Sequence, residues 1–473
     1  MLRFILNNQE ITTDLAAGST VLDFVRYHKM LKGTKIGCRE GDCGACTVLV
    51  GDIENNRLIY RSMTSCLIPL GNAQRKHIVT VEGVNMDQLS PVQQAMVDTN
   101  GTQCGFCTLG FIMSFTGFVL HPATKKYDEA IAAIDGNICR CTGYKSIERA
   151  AQVITQLVHE KPVDKTTSWL VKQGFLPAYF IGIEERLHVI REQLKHAPHS
   201  NGETDKLRIG GGTDLVVQKP SAVKHAPVQL LSDTAHLKGI QVVNGECMIG
   251  ASVTVSEFVE STFINQMFPS VKKFIKLVSS TPIRNMATIA GNLVNASPIG
   301  DMTIFFLALD ANIILNDGTQ QRNIHLKNFY KGYKQLDKHA PEYIEKIIFK
   351  VPPAQAVFNF EKVSKRMHLD IASVNSACLI EWKNNIISSI HLSAGGVAPF
   401  PKHLSITCEF LQGKQPTAEV LKAAIEIMNG EVSPISDARG TEAYKRLLLR
   451  QLFLAHMLQH KAPANEVKKL LLA

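Results

Sequence analysis

Residues 37–46 read GCREGDCGAC, and this stretch decides how the chain is organised. It sets Cys38, Cys43 and Cys46 at C-x4-C-x2-C spacing, with Cys66 as a distant fourth. Such irregular spacing holds iron and sulfide. A zinc site more often shows two matched C-x2-C knuckles, and only one is present here. Gly37, Gly41 and Gly44 interleave with the cysteines. Glycine takes positive φ and lets the loop curl its backbone N–H groups toward the sulfurs, where they stabilise a negatively charged cluster.

A second quartet, Cys104, Cys107, Cys139 and Cys141, reads C-x2-C, a long gap, then C-x-C, in the segments QCGFC and ICRCTGY. Cys104 and Cys107 open an apolar helical stretch, Thr108 to Leu120, and Cys139 and Cys141 precede a helix from about Lys145. Two helix N-termini would aim partial positive charge at an anionic cluster. A four-thiolate zinc site stays open for this quartet taken alone. Two adjacent one-electron centres on one chain predict an electron conduit.

Outward from the quartets, 473 residues hold three or four domains, each able to bury its own core. Residues Leu2 to Leu6 and Glu10 to Thr13 alternate like a hairpin around Asn7-Asn8, and Ser19 or Thr20 caps a helix from Val21 to Leu31 that Gly33 ends. Strands at Thr47 to Val50, Leu58 to Arg61 and Ile78 to Val81 complete a β-grasp 2Fe-2S ferredoxin-type domain over 1–88. Ser90-Pro91 opens a four-helix 2Fe-2S domain over 89–160, with helices near Val92 to Thr99, Thr108 to Leu120, Asp128 to Ile134 and Lys145 to His159. From Lys161 to Ser168 the chain turns polar, and 161–175 reads as a linker. An α/β domain follows over 176–355 and a C-terminal α+β domain over 356–473, the latter starting with strands such as Ile371 to Trp382.

In the third region, strand-like Leu207-Arg208-Ile209 runs into Gly210-Gly211-Gly212-Thr213-Asp214-Leu215. This turn is bare enough for a pyrophosphate to approach, or is a plain tight turn. Leu215 stands where a G-x-G-x-x-G motif has its third glycine, so a Rossmann site is disfavoured. Thr281 to Asp301, TPIRNMATIAGNLVNASPIGD, offers small and amide side chains suited to phosphate and ribityl oxygens.

Other features read as structural. The net charge of +9 is spread without a strong basic block, so a solvated surface, or equally docking to an acidic partner, is favoured over nucleic-acid binding. The start MLRFILNNQE has no secretory pattern, and 105–120 is too short to span a bilayer, so a reducing, cytoplasmic setting is expected. Cys247, Cys378 and Cys408 lie in strand-like runs as buried thiols. His456 and His460 lack a third metal ligand and read as a solvated helix face, and His368 as a surface residue. Trp169 and Trp382 are isolated, which disfavours a nucleic-acid stacking platform.

Taken in order, GCREGDCGACTV, QCGFCTLGF with GNICRCTGY, GGGTDL, AGNLVNASPIGD, SKRMHLDIASV, GGVAPFPKHL and SDARGTEAYKRLLL resemble the small subunit of bacterial xanthine dehydrogenases, in the molybdenum hydroxylase family. The resemblance covers nearly the whole chain. It implies that Cys38, Cys43, Cys46 and Cys66 hold the 2Fe-2S cluster nearer a flavin, and that Cys104, Cys107, Cys139 and Cys141 hold the one nearer molybdenum. Gln103 and Cys141 would touch the pterin at the interface with a large subunit. Ile209, Gly210, Gly211, Gly212, Thr213, Asp214 and Leu215 would wrap the FAD pyrophosphate, with Thr288, Gly291, Asn292 and Asp301 along the rest. A flavin-contacting lysine of some relatives falls at Glu361, with Lys362 beside it.

No molybdenum-cofactor domain is seen before Ala473, so substrate oxidation is expected on a partner large subunit, in a heterotetramer or larger assembly. A purine such as xanthine would be hydroxylated there and NAD reduced at the flavin. No catalytic residue is expected on this chain beyond the redox cofactors. Two rivals differ in kind: a self-contained flavin and iron–sulfur reductase serving an oxygenase, and a zinc-stabilised scaffold. The small subunit of an aldehyde or N-heterocycle hydroxylase is a closer alternative.

Overall fold

The computed structural model describes residues 1–194, 206–366 and 369–472, which leaves His368 outside the described residues. The chain divides into two units, Met1–Ser232 with Ser280–Ala287, and Asp233–Ser279 with Thr288–Ala473.

The first unit opens with a five-stranded sheet of β1 (Leu2–Leu6), β2 (Gln9–Thr13), β3 (Thr47–Glu54), β4 (Arg57–Thr64) and β5 (His77–Val79), in the order β2-β1-β5-β3-β4. β1 and β5 run parallel and the other pairs antiparallel. β3 and β4 outrun their expected ends because Asn55 and Asn56 both take positive φ, 48° and 59°, and close a tight hairpin of the kind such residues favour. The expected helix from Val21 is shorter than read. Thr20 caps it by accepting from the Asp23 N–H at 3.1 Å, but the α-turn Val21–Asp23 widens into a π-turn over Phe24–His28. Met30, at φ 57°, has already left the helix before Gly33.

Four helices follow, Pro91–Asp98, Thr108–Leu120, Tyr127–Ala133 and Lys145–Leu157. Ser90 and Gln93 form a reciprocal capping box at the first. Phe111, Phe115, Ile147 and Ile154 share one core with Leu49 and Tyr60 of the sheet, so the two cysteine-bearing regions are packed as one body. The stretch 161–175 is not a slack linker. Lys161 is fully buried, and its Nζ donates to the carbonyls of Val119, His121 and Thr124 at 2.7–3.0 Å, satisfying the C-terminal end of the Thr108–Leu120 helix. Helix Thr166–Lys172 then adds Leu170 to that core, and Trp169 stacks on Phe175 with centroids 6.0 Å apart.

The strand Leu207–Ile209 forms as expected and pairs in parallel with Val228–Leu230. Ile209, Val216 and Met286 join the core around Phe24 and Leu67, so parts of the expected flavin domain belong to the first unit.

The second unit contains an antiparallel sheet ordered Gln321–His325, Asn312–Asn316, Tyr343–Lys350, Glu246–Gly250, Ile240–Val243. It also contains a four-stranded antiparallel sheet running from Val357–Val363 through Val374–Lys383 and Ile386–Gly395 to Lys402–His403. Helices Ser405–Leu411, Ala418–Glu431 and Glu442–Leu458 bury Leu411, Leu421 and Phe453 with Ile390 and Leu392 of that sheet. Cys247 and Cys378 are buried in strands as read, but Cys408 lies in a helix, its Sγ accepting from the Leu392 N–H at 3.2 Å. His456 is not solvated. It is buried between Asn359 Nδ2 at 2.9 Å and Ser376 Oγ at 3.0 Å, while His460 stacks on Trp382 at 4.2 Å. Among the described residues no helix is long and apolar enough to cross a membrane.

Candidate metal and flavin sites

Cys38, Cys43 and Cys46 lie on the loop between the π-turn and β3, and Cys66 on a short 3-10 turn after β4. Cys46 and Cys66 are buried at 2% exposure. The thiols act on one another in pairs, Cys38 with Cys43 and Cys46 with Cys66. Two thiols sharing one proton separate in acidity. The Cys43 thiol, helped by the N–H groups of Glu40, Cys43 and Asp42, brings Cys38 down to about 5. Cys43 itself is pushed up. Cys66 similarly lowers Cys46 and is itself raised. Backbone N–H groups point at sulfur as the glycine spacing predicted, Glu40 to Cys38 Sγ at 3.3 Å and Cys38 to Cys43 Sγ at 3.4 Å. A Cβ on Gly37 would lie 2.6 Å from Cys43 Sγ, so only glycine leaves that sulfur its place.

The second quartet is paired too. Cys141 and Cys104 sulfurs lie 3.6 Å apart, and Cys139 acts on Cys107. Burial, then Cys139, pushes Cys107 up to about 12. Burial opposes ionisation of Cys139, but the Thr142 hydroxyl at 3.1 Å and its N–H at 3.4 Å outweigh it and hold this thiol low. Cys107 is the residue before helix Thr108–Leu120, and Tyr144, at φ 69°, the one before helix Lys145–Leu157. Gln103, Cys104 and Cys141 are exposed. Among the described residues no three His, Cys, Asp or Glu side chains converge as a single-ion site requires. Paired thiols, with N–H and hydroxyl donors on the sulfurs, suit a diiron unit, in which each iron takes two of the four sulfurs.

The residues read as flavin contacts fall in both units. Ile209 to Leu215 lie in the first, where the triple glycine serves the fold. A Cβ on Gly211 would sit 1.9 Å from the Met286 carbonyl oxygen, and Gly212 has φ 90° with a Cβ position 2.8 Å from the Leu67 carbonyl. These two glycines are therefore required by the approach of the chain's own backbone. The Gly210 carbonyl accepts from Asn72 Nδ2 at 3.0 Å, and Leu215 begins a short helix after Thr213 and Asp214.

In the second unit, Thr288 caps helix Ile289–Asn295 by accepting from the Gly291 N–H at 3.1 Å. Asn292 Oδ1 accepts from Thr303 N at 3.1 Å and Oγ1 at 3.2 Å. Asp301 and Lys362 meet directly. Lys362 Nζ donates to Asp301 Oδ2 and the Leu277 carbonyl, both at 2.7 Å, and Asn375 Nδ2 donates to Asp301 Oδ1 at 2.6 Å. The Lys362 side chain is 2% exposed. Adjacent strand residues point to opposite faces, so Glu361 looks away from Asp301 and bonds Asn359 instead. Sequence reading missed Asn375 and the ion pair, because no local pattern marks a partner 61 or 74 residues away.

Known families match the chain in series. Residues 4–70 match a 2Fe-2S iron–sulfur cluster binding domain, 80–152 a [2Fe-2S] binding domain, 193–352 the FAD binding domain in molybdopterin dehydrogenase, and 360–460 the CO dehydrogenase flavoprotein C-terminal domain. Xanthine dehydrogenase of Blastobotrys adeninivorans is 29% identical over 92% of this chain and 39% of its own length. Xanthine dehydrogenase 1 of Arabidopsis thaliana is 27% identical over 96% of this chain and 39% of its own length. The chain thus spans about two fifths of these relatives. A reconstituted CO dehydrogenase from Oligotropha carboxidovorans shares the fold over 53% of this chain and 87% of its own, at TM-score 0.50 and 24% identity. Two cluster domains, an FAD domain and a flavoprotein C-terminal domain in this order make the chain the 2Fe-2S and FAD part of a molybdenum hydroxylase.

Proposed function

We propose that this chain is the electron-transfer subunit of a cytoplasmic xanthine dehydrogenase. In this reading a molybdopterin-binding large subunit converts hypoxanthine and xanthine to urate, and the electrons leave through this chain to NAD. The single observation that carries the electron-transfer role is the run of eight cysteines in two quartets within 4–70 and 80–152, the stretches that match two 2Fe-2S cluster domains. Xanthine as substrate is supported by the names of the relatives over nearly the whole chain.

When bound, the two 2Fe-2S clusters supply one-electron carriage, and FAD supplies the exchange of two such electrons for a hydride to NAD. The chain's own part is to hold and orient. The eight thiolates would ligate iron, and the N–H groups of Cys38, Glu40 and Thr142 would stabilise sulfur charge. Ile209 to Leu215, Thr288, Gly291, Asn292, Asp301 and Lys362 would seat the flavin, with the Lys362–Asp301 pair keeping the carboxylate fixed. The exposed Gln103 and Cys141 would meet the large subunit, in a heterotetramer or larger assembly.

The test is co-purification under anaerobic conditions, followed by assay with xanthine and NAD. Urate should form only when a pterin-bearing large subunit is present, from a brown chain whose visible band bleaches with dithionite. Turnover of an aldehyde or another N-heterocycle in place of xanthine would reassign the substrate, and a colourless chain without iron would end the reading.

A further inference from the structure

Three hydrogen bonds beside the second quartet close into a ring on one residue. The Cys139 N–H donates to the Tyr144 hydroxyl oxygen at 3.1 Å. The Tyr144 N–H in turn donates to Thr142 Oγ1 at 3.3 Å, and Thr142 Oγ1 lies 3.1 Å from Cys139 Sγ. Thr142 Oγ1 already accepts from Tyr144, and a thiolate has no proton to give, so the hydroxyl hydrogen of Thr142 points at the sulfur. The Thr142 N–H reaches the same sulfur at 3.4 Å.

The backbone is bent to make this ring. Tyr144 sits at φ 69°, a left-handed conformation that bulky residues rarely adopt and that persists only where the surroundings hold it. Gly143 precedes it at φ 64°. Two left-handed residues in a row fold the chain back, so that one tyrosine meets Cys139 with its hydroxyl and Thr142 with its N–H. Cys139 is buried, which keeps water from competing for the bond between hydroxyl and sulfur. The first quartet is served differently. Its sulfurs receive the backbone N–H groups of Glu40 and Cys38 at 3.3 and 3.4 Å. Ser65 acts on Cys46, yet its hydroxyl hydrogen is committed to the Cys46 carbonyl at 2.7 Å.

We propose that Thr142 is a positioning residue of the second site: acting through Cys139, its hydroxyl raises the midpoint potential of that site alone. The proposal rests on the reading that this quartet holds a 2Fe-2S cluster. Reduction there adds one electron, delivered by the partner subunit in turnover or by dithionite in the test, with no bond made or broken and no proton moved. The added negative charge spreads onto the ligating sulfurs. A donor aimed at one of them binds the more negative state more strongly, so the reduced form gains more than the oxidised one. Tyr144 contributes by holding the hydroxyl on line. Removing the donor should therefore lower the potential of the second site and leave the first as it was.

The test is a redox titration of the full chain with its clusters, followed by electron paramagnetic resonance, the second signal being the one that Cys104→Ser removes. Thr142→Val keeps the shape of the side chain and loses the hydroxyl. It should leave iron content and the first signal unchanged and make the second site roughly tenfold harder to reduce, a fall of about 59 mV for one electron. Thr142→Ser restores the donor and should return the potential to the wild-type value. Tyr144→Phe releases the Cys139 N–H and loosens the ring, so it should shift the same signal in the same direction by less. If Thr142→Val fails to assemble a cluster, Tyr144→Phe decides, and an unchanged potential there overturns the proposal. A wild-type potential in Thr142→Val with both clusters bound would overturn it too, as would an equal shift in Thr142→Ser, which would trace the effect to packing. A wild-type chain with no iron or acid-labile sulfide would instead overturn the cluster reading beneath it.

Discussion

The two quartets use the same donor in the same number and differ in how their sulfurs are covered: the first has two half-buried thiols, Cys38 and Cys43, and two buried ones, and the second has one buried thiol, Cys139, one half-buried and two exposed. Cys46 and Cys66 are sealed in the core, whereas Cys104 and Cys141 stand in solvent. The first loop is crowded, with a Cβ on Gly37 reaching to 2.6 Å of a sulfur. At Gly105 and Gly143, beside the second quartet, a Cβ would meet nothing within 4 Å. Ligand spacing therefore specifies the chemistry, and the packing around it specifies which sulfurs another surface can reach.

The largest effect that would break this comparison comes from removing one thiol from each site. Cys43→Ser should abolish one of the two cluster signals and halve the iron, and Cys104→Ser should abolish the other, with FAD retained in both. If either substitution erases both signals, the quartets do not assemble independently and the contrast between them has no functional content.

A glycine pair sharpens the contrast at smaller scale. Gly105→Ala faces open space but must hold φ 79°, a left-handed conformation that costs an alanine roughly 1–2 kcal/mol, so it should lower the unfolding free energy by that amount with normal cluster content. Gly37→Ala has no positive φ to oppose it, yet it drives a methyl group against Cys43 Sγ. It should cost cluster occupancy, read as iron per chain, and shift the signal of the first site. Equal iron content in the two variants would show that the first loop yields as readily as the second.

How much of this was legible from sequence follows the range of each interaction. The hairpin at Asn7-Asn8, the Ser90 cap and the Thr108–Leu120 helix were readable because their causes lie within a few residues. Lys161 was read as linker and His456 as solvated for the opposite reason. Their partners, the carbonyls of 119–124 and the pair Asn359 and Ser376, are 37–97 residues away. The thiol positions were legible as a set, but not their pairing or exposure. The triple glycine was noticed, while its physical cause, the Met286 and Leu67 carbonyls, became visible only once the chain was folded.

The smallest expected effect is in pH, and it separates the two regions by window. His77, in the sheet that carries the first quartet, is fully buried between the Tyr60 hydroxyl at 2.7 Å and the Asn7 carbonyl at 2.8 Å, with Tyr179, Phe180 and Arg186 also facing it. Burial lowers it from 6.5 to about 3. The unfolded chain takes up a proton there that the folded one refuses, so stability falls as pH drops from 6.5 toward 3, by at most about 1.4 kcal/mol per pH unit. Lys161, at the end of the helix that begins at the second quartet, is lowered by burial from 10.5 to about 8, with Lys125 and Glu129 nearby. Here the unfolded chain keeps a proton that the folded one sheds between 8 and 10.5, so stability rises with pH through that window under the same ceiling. Hydrogen exchange resolved by region should show the amides of β5 losing protection in acid and those of Thr108–Leu120 gaining it in alkali. His77→Phe and Lys161→Met should each flatten one response and leave the other. A single window shared by both regions would mean that the two domains open as one cooperative unit, and that the difference between the quartets is confined to their immediate loops.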